Sequence, residues 1–294
     1  MVVTVSRPPM DFGLSILLAV FLVALVAGFA GSMVGVGGGI FLVPFLTLVL
    51  GLDVRMAIAT SLIGVIATSS GAASVYVRDR LTNLRLGMFL EVATSLGAIL
   101  GAFVAAVYLG PVVLQVVFGI VAVYAALFML RTREGARERA ALAPEEPGLA
   151  KTLNLSSYYF DPEDRAVYRY RVARPGAGFA VSAVAGALSG LLGVGGGFVK
   201  VPAMNLLMRV PMKVAVATSN LMIGVTAAAS AFVYYSHGYV QPTLAAVVIL
   251  GVFLGTLVGT RVLQRLPAAW VRAVFAVILV AVGIAMALSG LGVV

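Results

Sequence analysis

Cysteine is absent from all 294 residues, and histidine and tryptophan each occur once. The first absence removes disulfides, thiolate metal sites and a cysteine nucleophile, while leaving the redox compartment open. A lone His237 cannot build an imidazole metal cluster. Charge is scarce as well, at 11% of positions against 62% hydrophobic, too apolar for an ordinary soluble domain. No Gly-x-x-x-x-Gly-Lys-Ser/Thr loop occurs, so the chain has no means of its own to hydrolyse a nucleotide, and an ion gradient is the remaining energy source. No cofactor is expected.

What is present is a series of apolar runs of helical length rather than the short alternating segments of an outer-membrane barrel. Helices satisfy their own backbone amides in lipid, so the expected fold is all-α and polytopic, in a bacterial-type inner (plasma) membrane with the lipid bilayer as its partner. The net charge of +9 lies in loops and helix ends, without the basic, aromatic-interleaved face of a nucleic-acid binder, so no nucleic-acid partner is expected. The first run, Phe12 to Ala30, follows Arg7 as a signal peptide would. It continues into glycines instead of a cleavage site and has a counterpart later in the chain, so it reads as mature structure.

The chain repeats itself without gaps at one offset, Pro202 minus Pro44, which is 158 residues. The shift lays Gly35-Val36-Gly37-Gly38-Gly39 on Gly193-Val194-Gly195-Gly196-Gly197, and Ala57, Ala59, Thr60 and Ser61 on Ala215, Ala217, Thr218 and Ser219. Gly28, Tyr76, Gly97 and Gly101 likewise fall on Gly186, Tyr234, Gly255 and Gly259. Each half reads as five segments: 13–34, 40–50, 54–77, 84–108 and 111–130, then 176–192, 198–208, 212–235, 241–263 and 267–290. The second segment of each half is too short to span, so segments one and two form either a re-entrant hairpin or two crossings.

Both alternatives give an odd number of crossings per half, so the copies should run in opposite directions. The loop charges agree with inversion. Arg78, Arg80 and Arg85 flank the third loop of the first half, whereas the matching Ser236–Gln241 stretch has no Lys or Arg. The next loop reverses the bias, with none across Tyr108–Pro111 but Arg261, Arg265 and Arg272 in the second half. By the positive-inside rule the expected division is a first repeat at 1–130, a cytoplasmic linker at 131–175 and a second repeat at 176–294, with both termini outside. Arg209 and Lys213 fit this orientation; Arg55 is its exception. The linker carries Pro144, Pro147 and Pro162, reads as a partly ordered tether, and has Tyr158-Tyr159-Phe160 and Tyr168 available to dock on the membrane domain. Its start, 131–139, could also extend segment five.

Two features suggest an anion site. The glycine breaks precede short helices, so the amides beginning at Ile40 and Phe198, with Gly37, Gly38, Gly39, Gly195, Gly196 and Gly197, form paired helix starts that favour negative charge. Tight helix packing is the competing reading of these glycines. Lys200 then stands where the first half has Leu42, and it either neutralises a bound anion or snorkels to an interface. Asn205, Thr60, Ser61, Thr218, Ser219 and Asn220, with Thr68, Ser69, Ser70 and Thr226 beyond, could donate to an oxyanion or bond between helices. Glu91 stands opposite Ile249 and is either a proton relay, with protons as coupling ion, or the partner of Arg85 or Arg261.

At these motifs the chain resembles the sulfite exporter TauE/SafE family of membrane permeases. The resemblance rests on Gly35–Pro44, Gly193–Pro202 and the Ala-x-Ala-Thr-Ser elements at 57–61 and 215–219, and covers both halves but not the linker. It implies secondary transport of a small anionic substrate, sulfite or an organosulfonate, often by export. An anion channel built from the same parts, or a sensory or structural membrane protein, is the alternative. An intramembrane hydrolase using Ser32, Ser189 and His237 lacks a Gly-x-Ser-x-Gly run, so the chain is not expected to be an enzyme. The particular anion and the oligomeric state are not written in the sequence.

Overall fold

A computed structural model of the protein describes residues 12–34, 37–131, 148–161, 166–262 and 268–292. These are almost entirely helical, as the apolar runs require. The first half comprises α1 (Leu14–Val34), α2 (Gly39–Pro44), α3 (Val54–Arg78), α4 (Leu84–Val107) and α5 (Pro111–Arg131). The linker contributes α6 (Gly148–Thr152) and an antiparallel hairpin, β1 (Ser157–Asp161) with β2 (Ala166–Tyr170). The second half follows with α7 (Pro175–Leu192), α8 (Gly197–Pro202), α9 (Met212–Ser236), α10 (Pro242–Val262) and α11 (Ala268–Gly290). Six of these, α1, α3, α4, α7, α9 and α10, are long and apolar enough within the described residues to cross a membrane. The hairpin departs from a purely helical expectation. Gly35 and Val36 of the first glycine run, and residues 132–139 at the linker's start, lie outside the described residues.

Local sequence sets the helix ends. Asp53 accepts from the Arg55 amide at 2.8 Å and Asn83 from the Leu86 amide at 3.1 Å, capping α3 and α4. Pro111, Pro175 and Pro242 open α5, α7 and α10, where no backbone donor is needed. Pro44 and Pro202 end their short helices for the same lack of an N–H. The ladder then widens into a π turn, Phe45–Val49 and Ala203–Leu207, closed by Leu50 N to Phe45 O at 3.3 Å and Met208 N to Ala203 O at 3.1 Å.

Small residues decide which helices meet. A Cβ on Gly28 would strike the Val252 carbonyl, and one on Gly186 the Thr94 carbonyl, so α1 lies against α10 and α4 against α7 at backbone distance. Gly251, Gly255 and Gly259 meet Phe21, Leu25 and Phe29 in turn, so α1 and α10 run parallel. Gly97 and Gly101 step along Ala183 and Ala187 in the same sense, so α4 and α7 are parallel too. The fourth helix of each half thus packs on the first helix of the other, giving one bundle of α4, α7, α8 and α9 and a second of α10, α1, α2 and α3. Helices α5 and α11 pair antiparallel, with Gly290 beside Val112 and Val116 and Gly119 beside Gly283.

Helix α2 starts level with the middle of its neighbours, because Gly38 touches Ala27 of α1 and Gly39 touches Ser61 and Val65 of α3. It ends at the loop from which α3 begins, so α2 and its π turn cover only half the length of α3. The linker packs on the first bundle. Leu155, Tyr159, Tyr170 and Val172 form one buried cluster with Leu86, Leu90, Met204, Met208 and Val214. Asn83 Nδ2 donates to Leu155 O at 2.8 Å and to Tyr170 Oη at 2.9 Å, and Ala173 N donates to Met208 O at 3.0 Å. Of the linker aromatics, Tyr159 is buried and stacks on Tyr168, whereas Tyr158 and Phe160 face outward.

Candidate functional site

The glycine breaks turn on backbone that side chains resist. Gly37, Gly38, Gly195 and Gly196 have φ of 85°, 71°, 82° and 72°, which lets the chain reverse and start a new helix within a few residues. The two breaks meet the opposite bundle. Gly39 abuts the Gly193 carbonyl, Ser61 Oγ donates to that carbonyl at 2.9 Å, and Gly37 lies between Val65 and Ile223. The first amides of α2 and α8, including those of Ile40 and Phe198, have no acceptor within their own helix, as at any helix start.

Lys200 lies in α8 and is 1% exposed. The snorkelling alternative is thereby overturned: its Nζ donates inward, to Thr226 Oγ1 of α9 at 2.7 Å. Thr226 Oγ1 donates in turn to Glu91 Oε1 of α4 at 2.8 Å, and Ser95 Oγ donates to the same carboxylate oxygen at 2.7 Å. The two charges that break the repeat therefore belong to one chain, Lys200–Thr226–Glu91–Ser95, drawn from three helices of the first bundle. Glu91 does not pair with Arg85, whose Nη1 reaches Asn154 O at 3.5 Å; the Arg261 side chain lies outside the described set. Glu91 Oε2 is buried without a hydrogen-bond partner among the described residues. Shifted by 158, the same positions hold Leu42, Thr68, Ile249 and Phe253, so the second bundle has an apolar version in which Thr68 bonds Gly64 O of its own helix at 2.9 Å. Ser95 and the bridging role of Thr226 are additions to the sequence reading. Subtracting one half from the other exposes Ser95 against Phe253; nothing local exposes the bridge.

The remaining candidates are dispersed. Thr218 accepts from the Asn83 amide at 3.0 Å, at the start of α4. Asn205 Nδ2 closes its turn on Val210 O at 2.9 Å, and Asn220 Nδ2 bonds Val216 O at 3.0 Å while its Oδ1 has no partner among the described residues. Thr60 and Ser219 are fully buried. Ser69 bonds Ile66 O at 3.2 Å. His237 Nδ1 lies 2.8 Å from Val233 O at the end of α9, and Ser32 bonds Phe29 O at 2.9 Å beside Gly259 near the opposite end of α10, so these two do not assemble into a hydrolase site.

Arg55 has its own explanation. Its Nε donates to Ala105 O at 3.2 Å, Nη2 to Leu109 O at 2.6 Å and Nη1 to Tyr239 Oη at 3.1 Å. The guanidinium sits over the Tyr239 ring at 5.6 Å. A cation on the carbonyl end of α4 offsets the helix dipole, which accounts for a charge on the side where the loop rule expects none.

The family model for the sulfite exporter TauE/SafE matches residues 20–286. A probable membrane transporter protein of Bacillus subtilis, YunE, is 29% identical over 91% of this chain and 96% of its own length. A probable membrane transporter protein of Xylella fastidiosa (strain 9a5c) is 29% identical over 87% of this chain and 89% of its own. Sulfite exporter TauE/SafE family protein 1 of Arabidopsis thaliana is 37% identical across 36% of this chain and 23% of its own. No solved structure matches. With transport relatives along nearly its whole length and six apolar helices of spanning size, the chain is a multi-pass membrane protein that belongs to the sulfite exporter TauE/SafE family of transporters.

Proposed function

We propose that this chain is a secondary transporter that exports small sulfur-containing anions, sulfite or organosulfonates, by alternating access. The buried ammonium of Lys200 carries the reading. It stands three residues into the helix that starts at the second glycine break, in a chain with no other charged side chain at a matching depth of α2 or α8. A cation in such surroundings is stabilised by a counter-charge, and a sulfonate or sulfite oxygen can take that place alongside the amides of Phe198 and Ile40. Gly37–Gly39 and Gly195–Gly197 let the backbone approach, Ser219 and Thr60 offer buried hydroxyl donors, and Asn220 Nδ2 has a second N–H beside its bond to Val216 O; Ser61, Thr218 and Asn205 hold the surrounding elements. Glu91 handles the coupling proton.

The parallel packing of α1 with α10 and of α4 with α7 supports two inverted repeats, 1–130 and 176–294, with the half-helices re-entrant. The arginines at 78, 80 and 85 support a cytoplasmic 131–175 linker and outside termini in an inner membrane. Cysteine labelling that finds loops 79–83 and 237–241 on one side would refute this orientation. The substrate test is thermal stabilisation of purified protein by sulfite, sulfate, thiosulfate, sulfoacetate, taurine and a carboxylate control, with Lys200→Ala alongside. Stabilisation by a sulfur oxyanion that disappears in the variant is expected. No stabilisation by any of them removes the anion reading.

A further inference from the structure

The bridge between buried Lys200 and half-buried Glu91 has a feature that simple charge pairing does not need. Thr226 has one hydroxyl proton and two acceptors for it, Glu91 Oε1 at 2.8 Å and Met222 O at 2.9 Å, while its oxygen receives Lys200 Nζ at 2.7 Å. Resting on the anion reading above, we infer that Thr226 is a two-position relay that makes anion binding at Lys200 and proton binding at Glu91 a single event. With Glu91 ionised, the hydroxyl proton points to the carboxylate and Lys200 is balanced inside the protein. An incoming anion would then leave one uncompensated buried negative charge, which low-dielectric surroundings oppose. When Glu91 takes a proton, at the unpartnered Oε2, the Thr226 hydroxyl turns to Met222 O and Lys200 is left as the unbalanced cation. The anion now restores neutrality. The balance is proton plus anion plus a Lys200 cation and Glu91 carboxylate bridged by Thr226 on one side, and a Lys200–anion pair with a neutral Glu91 on the other, so the site carries zero net charge in both states for a monovalent anion.

The surroundings leave Glu91 little else to answer to. Helix α7, packed along α4, has no ionisable side chain between Pro175 and Leu192. On α9 the ionisable residues are Lys213, Tyr234 and Tyr235, each at least two turns from Thr226. On α4 itself Arg85 turns to the linker at Asn154, and α8 supplies Lys200 alone. The second bundle, with Leu42 and Ile249 in the matching places, has no such relay, so the stoichiometry is one proton per anion.

The test uses purified full-length protein in weakly buffered detergent between pH 6 and 8, with methanesulfonate, ethanesulfonate and 2-hydroxyethanesulfonate as probes, each a monovalent anion that does not titrate in that range. Wild type should take up one proton per anion bound, with affinity falling about tenfold per pH unit where Glu91 is ionised before binding. Glu91→Gln should bind the anion without proton uptake and with a flat pH profile. Thr226→Val should weaken the pH dependence, and Thr226→Ser should restore it. Anion binding by wild type without proton uptake, a retained pH slope in Glu91→Gln, or a Thr226→Val profile like that of wild type overturns the relay while sparing the transport reading. Binding of none of the three probes at any pH overturns both.

Discussion

Replacing Lys200 and Glu91 together by the residues of the matching apolar site, Lys200→Leu with Glu91→Ile, is expected to yield a stable protein, although each change alone damages it. The structure gives the reason in its other bundle, where Leu42 and Ile249 already occupy these positions. Lys200→Leu leaves the half-buried Glu91 carboxylate without its cation, with Oε2 already unpartnered among the described residues. Glu91→Ile leaves a cation that is 1% exposed. Removing one member of a buried pair costs about 3–5 kcal/mol, whereas replacing both by packed apolar side chains is often neutral or stabilising by about 1–4 kcal/mol. At roughly 2–4 °C per kcal/mol each single variant should melt about 6–20 °C below wild type, and the double variant close to it. Thermal unfolding in detergent at neutral pH reads all four corners of the cycle, and a transport assay on the double variant should show none. Losses that add to within about 0.5 kcal/mol would mean that the two charges do not compensate each other through Thr226.

Three further outcomes follow from sites away from the charged chain. Arg55→Met should destabilise the protein by about 2–4 kcal/mol and speed hydrogen exchange at residues 105–110, since three hydrogen bonds to a charged group are lost; Arg55→Lys should rescue only part, lacking the forked donors. The Tyr170 phenol, outside the spans, is pushed up from 10.0 to about 12, chiefly by burial. The docked hairpin keeps it protonated where an undocked one ionises, so linker docking has its full stability well below pH 10 and loses about 1.4 kcal/mol by pH 11 and about 2.3 kcal/mol by pH 12. Limited proteolysis of the linker from pH 9 to 11 measures this, and Tyr170→Phe should abolish the loss. Gly186→Ala should force α7 away from the Thr94 carbonyl of α4 at a cost of about 1–3 kcal/mol, seen as a lower melting temperature, with Gly28→Ala matching it on α1.

Helix extents were legible because an apolar run in lipid has few options: the reading 212–235 and the helix Met212–Ser236 differ by one residue. Lys200 and Glu91 were legible singly, as charges set against Leu42 and Ile249. Their association was not, because it depends on the parallel packing of α4 with α9 and on one hydroxyl, Thr226, that looks like any interhelical threonine. The linker hairpin escaped because Tyr158–Phe160 and Val167–Tyr170 are strands too short to show period-two alternation clearly. Its docking was foreseeable only as an aromatic preference. Arg55 defied the loop-charge rule for a reason held by carbonyls 50 and 54 residues away, at Ala105 and Leu109, which no local pattern reveals.

The charged chain and the glycine breaks occupy different parts of the frame, and that division has a testable consequence. Lys200, Thr226, Glu91 and Ser95 all lie within the bundle of α4, α7, α8 and α9. The breaks face the seam between bundles, where Ser61 bonds Gly193 O at 2.9 Å and Gly37 lies between Val65 and Ile223. An alternating-access cycle that moves one bundle against the other carries the charged chain along intact and reorganises only the seam. Linking the bundles there should therefore stop transport but spare proton-linked anion binding. Because the chain has no cysteine, Val65→Cys with Ile223→Cys offers a single pair for a short bifunctional thiol reagent. The linked protein is expected to bind one anion with one proton, as the unlinked protein does, and to lose turnover in vesicles until a cleavable linker is reduced. Turnover that survives linking would place the moving boundary elsewhere. Loss of binding together with transport would mean that anion binding itself needs the two glycine breaks free to move against each other.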